Sequence, residues 1–291
     1  MQYSLLIFMI AAAVLQFTSF SEDVYNTVCM LLILLVGIPH GAADHKIHGA
    51  LVGAHRLRRF IFQYVAMAIG YAIWWLLMPI KAALIFFLIS IYHFGQEFLE
   101  NNAIHRPAVL HIIIWGSALL LFPFCIANAE ILESFQSLAE KPIWWPSQMI
   151  RTLFCVVIAI ALIISLMVLQ KRHRLSAQQL INMVLTIVCI NLAYVFLPFL
   201  VAFTLYFILF HSFNAFSDQF QWLSQRMNNY NLSLFLRDLV LFSVIAISGL
   251  LLLYYLLKPL AWTEIILYSF VMISILTLPH TLLFDRMYKM R

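Results

Sequence analysis

About ten apolar runs, each roughly 15–22 residues long, fill most of this 291-residue chain and leave only short polar stretches between them. A bilayer core offers nothing to hydrogen-bond a bare peptide group, so only helices and closed barrels can cross it. Strands of a membrane barrel alternate apolar and polar positions. These runs do not alternate. The expected fold is therefore all-α, a polytopic membrane helix bundle of about ten transmembrane helices forming a single integral membrane domain over residues 1–291. Spans are expected near 3–20, 25–43, 60–78, 80–96, 107–126, 149–169, 178–197, 199–216, 236–257 and 264–284. Composition agrees, with 64% hydrophobic and 10% charged residues where a soluble domain carries about 25% charged.

Pro79 and Pro198 fall in tight turns between spans, where a missing N–H does least harm. The longest stretch between spans, Asn128 to Ser147, carries Glu130, Glu133, Glu140 and the pair Trp144 and Trp145. It is expected to lie on the interface as a short helix with its tryptophans at headgroup depth. The first run lacks a basic leading segment and a small-residue cleavage site, so it reads as a retained span.

A net charge of +5 would suit a nucleic-acid binder, but the basic residues sit in short loops, not in a separate domain or arm. Nucleic acid is not an expected partner. With the N-terminus in the cytoplasm, 13 of the 17 Lys and Arg residues fall on the inner side, as the positive-inside rule requires of ten spans. The expected location is the cell (inner) membrane, multi-pass, with both termini cytoplasmic. Cys29, Cys125, Cys155 and Cys189 all lie within apolar runs without CxxC spacing and read as small buried hydrophobes.

Four runs end in a histidine: LLILLVGIPHG (His40), ALIFFLISIYHFG (His93), LYFILFHSF (His211) and ISILTLPHTLLFD (His280). They belong to spans two, four, eight and ten, which all run from outside to inside, and each comes late in its span. All four are thus expected at one depth, in the cytoplasmic half. An intramembrane ionisable residue is costly and marks function by default, and four at one level fit the ligand set of one metal: His40, His93, His211 and His280. Carboxylates follow each on the loop side (Asp44, Glu97, Asp218, Asp285) and could receive the second ring N–H. The remaining histidines need no metal. His48, His55, His105 and His173 read as solvated loop residues, His111 as interfacial, and His45 as a neighbour of the site or a lining of its mouth.

Imidazole suits zinc, copper, iron and nickel. Four neutral ligands without a carboxylate favour Fe(2+) with one or two positions open for oxygen, while bis-histidine haem is also possible. Phe and Tyr side chains flank the histidines (Tyr92, Phe94, Phe98, Tyr206, Phe207, Phe210, Phe213, Phe216), and a site walled by them would suit a long conjugated apolar substrate. A transporter or proton relay is the alternative from another class. It would need polar residues across the whole bilayer, whereas here they cluster on one side. The HxxxH and HxxHH boxes of membrane desaturases do not occur.

GIPHGAADH (37–45), YHFGQE (92–97), LYFILFHS (205–212) and LPHTLLFD (278–285) resemble the Brp/Blh family of β-carotene 15,15′-dioxygenases, in the same order and over most of the chain. The resemblance implies a multi-pass membrane enzyme with a histidine-bound iron. It would cleave the central double bond of β-carotene with O2 to give two all-trans-retinal, often to supply a rhodopsin. It also implies His40, His93 and His211 as iron ligands; no further side chain is expected to act in catalysis. Family members commonly carry a second histidine four residues beyond the one at His211, where this chain has Ala215. Either His280 completes the set, or three ligands suffice, or the chemistry is altered.

Overall fold

The computed structural model describes residues 2–16, 18, 20–53, 56–126, 147–173, 175–258 and 262–290. They form helices and short connections, with no strand among the described residues. The helices are α1 (Gln2–Gln16), α2 (Glu22–Leu32), α3 (Asp44–Val52), α4 (Leu57–Leu77), α5 (Pro79–Asn101) and α6 (Val109–Ile126). They continue as α7 (Gln148–His173), α8 (Ala177–Phe196), α9 (Phe199–Tyr206), α10 (Phe213–Ser224), α11 (Leu232–Leu257) and α12 (Trp262–Lys289). Among the described residues, eight helical stretches are long and apolar enough to cross a membrane, and two apolar helices are shorter. The fold is an all-α helix bundle, and each of the ten expected spans falls on a helical stretch.

Two of those stretches are compound. Between α2 and α3 the chain passes through a π turn (Ile33–Gly37) and a 3-10 turn (Ile38–Gly41), and between α9 and α10 through a π turn (Phe207–Ser212). Several helices also run further than the apolar pattern predicts: to Val52 rather than 43, Asn101 rather than 96 and Ser224 rather than 216. The added turns carry buried polar residues, among them Asp44, Glu97, Glu100, Asp218 and Gln219. Sequence reading places such residues in loops because it sees their polarity and not their partners. The expected interfacial segment at 128–147 lies outside the described residues up to 146, as does His55.

The chain divides into two compact units. Unit 1 holds residues 1–25 and 87–210. In it α6 packs against α7 and α8, and α1 against α8 and α9. α5 and α6 approach so closely that a Cβ on Gly95 would run into the Ile112 carbonyl, and one on Gly116 into the Ile91 carbonyl. α8 starts on a capping box, Ser176 Oγ accepting from Gln179 N at 3.2 Å while the Gln179 side chain accepts from Ser176 N at 2.9 Å. Unit 2 holds residues 26–86 and 211–291. There α12 packs against α3, α4 and α11, and α10 against α3. Ala42, Ala43, Ala215, Trp222, Phe235 and Phe284 belong to its buried cluster. Exposed faces are apolar: on α7 Leu153, Val157, Ile160 and Ile163 are all more than half exposed, as lipid-facing positions should be.

Candidate metal centre

Two of the four predicted histidines stand where a helix loses its regular form, and a third follows a proline inside one. Pro39 has no N–H to donate, and its ring clashes with a carbonyl one turn back, which kinks or breaks an α-helix. The π and 3-10 turns absorb that break, and π turns recur at functional sites. His40 sits in the 3-10 turn, its Nδ1 hydrogen-bonded to the Gly37 carbonyl, while its own carbonyl accepts from Gln219 Nε2 at 2.5 Å. His211 lies within the second π turn. His280 follows Pro279, which stands inside α12.

Unit 2 brings these three together. The His40 ring lies 4.8 Å from that of His211 and 5.0 Å from that of His280, edge-on to each at interplanar angles of 80° and 78°. His211 and His280 are buried and His40 partly so. Gly41 leaves room for the meeting, since a Cβ there would already touch the His280 ring at 3.5 Å. His93 belongs to unit 1, where it is 1% exposed on the unbroken helix α5. Phe94 beside it packs with Tyr206 and Phe207 at 5.8 and 6.1 Å, and Phe203 stacks on Phe207 at 5.4 Å. An aromatic seam thus runs along α9.

Asp44 grips His280, accepting from Nδ1 at 2.8 and 3.0 Å. Tyr64 O–H donates to the same carboxylate at 3.2 Å and lies 3.4 Å from the Leu276 carbonyl. A carboxylate and a carbonyl only accept, so in neutral rings both His280 and His40 carry the proton on Nδ1 and keep the lone pair on Nε2. That is the form in which an imidazole binds a metal, with its outer nitrogen anchored. The donor set fits a transition-metal ion.

Two of the expected pairings are corrected here: His40 bonds the Gly37 carbonyl and His280 bonds Asp44, so neither uses the acid that follows it. Asp44 serves His280 from a different helix because the 3-10 turn after Pro39 removes the one-turn spacing that would have put it beside His40. Asp285 pairs with Lys289 at 2.6 Å, and Asp218 accepts from Tyr288 O–H at 2.9 Å. His48 is buried in α3 against Phe60, ring centroids 4.0 Å apart, because the expected loop is a helix. His45 bonds the Ala42 carbonyl at 3.0 Å and packs on Phe242. His111 is also buried, hydrogen-bonded to Ser165 Oγ at 2.7 Å, so it joins α6 to α7. His105 meets Glu100 at 2.8 Å in the loop after α5. Of the aromatic residues expected to wall the site, Phe98 stacks on Trp115, Phe216 packs on Phe235 and Phe213 is about half exposed. Tyr64 and Gln219 escaped the sequence reading, because nothing near either residue in the chain announces a partner in another helix.

The family model described as beta-carotene 15,15'-dioxygenase matches residues 31–288. A protein of an uncultured marine bacterium, 66A03, named beta-carotene 15,15'-dioxygenase, is 28% identical over 271 residues, covering 89% of this chain and 93% of its own. No solved structure gives a significant match. A matched segment that takes in all four histidines, and nearly the whole chain with them, makes this protein a member of the beta-carotene 15,15'-dioxygenase family.

Proposed function

We propose that this protein is an iron(II)-dependent oxygenase that cleaves β-carotene, or a closely related carotenoid, at its central 15,15′ double bond. Each of its two central carbons takes one atom of O2, so one hydrocarbon gives two molecules of all-trans-retinal. His40, His93, His211 and His280 hold the ion. One observation carries the reading: His40 meets His211 and His280 edge-on, with His280 anchored from behind by Asp44.

Iron would supply the one-electron chemistry by which dioxygen reacts with a closed-shell alkene. The chain does the positioning. Asp44 and Tyr64 hold the His280 ring, Gln219 ties the His40 backbone, and the lipid environment excludes water. The seam of Phe94, Phe203, Tyr206 and Phe207 offers flat apolar surface to a polyene, which is already dissolved in the bilayer. No side chain is needed as a general acid or base. The protein sits in the inner membrane with both termini cytoplasmic, and its product would suit a rhodopsin.

Expression in β-carotene-producing bacteria is the direct test. Loss of orange colour with retinal accumulating is expected. Unchanged β-carotene beside full-length protein in the membrane would overturn the proposal. Metal content then checks the ligands, since alanine at each of His40, His93, His211 and His280 should lower bound iron. Iron retained in full by His280→Ala would leave a three-histidine centre.

A further inference from the structure

We infer that Cys125 and Cys155 form a redox-active pair, a dithiol that closes to a disulfide joining α6 to α7. Nothing in the proposed oxygenase chemistry uses either residue.

The argument begins with register. On α7 the positions turned inward follow a 4-3 spacing through Cys155, Ile158, Leu162, Ser165 and Leu169, with more exposed residues such as Val156, Val157, Ile163 and Ile164 between them. On α6 the same spacing runs through His111, Trp115, Ala118, Phe122 and Cys125. Stripes of this period are what two antiparallel helices present to one another. Ser165 pins the register: its Oγ takes a hydrogen bond from Trp115 Nε1 at 2.9 Å and lies 2.7 Å from His111 Nδ1. Ten residues onward from Trp115 is Cys125, and ten residues back from Ser165 is Cys155. Equal steps along two antiparallel helices cover equal rise, so the two cysteines arrive opposite each other.

The side chains agree with the register, because the two thiols are in hydrogen-bonding contact. A disulfide also needs side chains aimed at each other over a short Cα separation, and thiols in contact are so aimed. Both cysteines are partly exposed, so an exchange partner can reach them.

Closure is a thiol–disulfide exchange. One thiolate attacks the sulfur of an incoming protein or low-molecular-weight disulfide and expels a thiolate. The second cysteine then attacks the mixed disulfide and releases the other. The pair loses two electrons and two protons, and the incoming disulfide becomes two thiols. In the topology proposed above this end of α6 faces outward, toward the compartment where disulfides persist.

The test uses full-length protein in native membranes, exposed to oxidised glutathione, quenched in acid, denatured and labelled with maleimide-polyethylene glycol. Of the four cysteines, two should escape labelling before reduction and all four should label after it. Cys125→Ser and Cys155→Ser should each give three labels in both conditions. Four labels on the wild type without reductant would overturn the inference. So would a linked-peptide mass spectrum pairing either residue with Cys29 or Cys189, a measurement that needs no variant to fold. Retinal formation is read separately, so neither result speaks for the oxygenase proposal.

Discussion

Ala215, where the family resemblance led to the expectation of another histidine, is fully buried in a cluster with Ala42, Ala43 and Phe284. An imidazole there would have to push apart a packed cluster, and overpacking of that kind costs about 1–3 kcal/mol. Ala215→His should therefore lower the thermal unfolding temperature in detergent, and an unchanged temperature would show that the cluster has slack. Asp44 invites the opposite experiment. Partners that orient a ligating imidazole typically matter 10–100-fold in metal affinity, so Asp44→Asn should weaken iron retention by about that factor. Tyr64→Phe, which removes one donor to the same carboxylate, should act in the same direction and less. Iron titration of purified protein checks both. The candidates His40, His93, His211 and His280 were legible in the sequence because each ends an apolar run. Their partners were not, because Tyr64, Gln219 and the Asp44–His280 bond each depend on a helix far away in the chain.

Helices were the most legible elements, since lipid permits little else and the apolar runs are long. Their interruptions were half legible. The Pro-His dipeptide at 39–40 warns that the helix breaks at His40, while the one at 279–280 lies within a continuous helix, and no residue before His211 forces the π turn found there. Polar extensions such as Asp44–Val52 were hidden by their own polarity. One close approach between elements makes a sharp prediction. Gly95→Ala and Gly116→Ala would each drive a methyl group into a backbone carbonyl of the facing helix, and backbone cannot swing aside as a side chain can. Both should reduce the yield of monodisperse protein on size exclusion. Gly70→Ala in α4, where an added Cβ meets nothing within 4 Å, should be neutral or stabilise by up to about 1 kcal/mol. Equal behaviour of the three variants would mean that α5 and α6 are not in backbone contact.

At the scale of the whole molecule the exposed apolar faces of α7 and α11 demand a lipid or detergent belt, and the charge pattern orients it. Reporters fused to either end should be active only on the cytoplasmic side, and activity outside would invert the threading and place the Cys125–Cys155 pair inward. One consequence follows from the bond between Asp44 and His280, which spans 236 positions. An early segment waits for nearly the last one before its carboxylate is satisfied. In the proposed four-histidine centre the ligand set is incomplete until α12 has left the translocon, so metal uptake should report that insertion is complete, and chains stalled before Pro279 should remain iron-free.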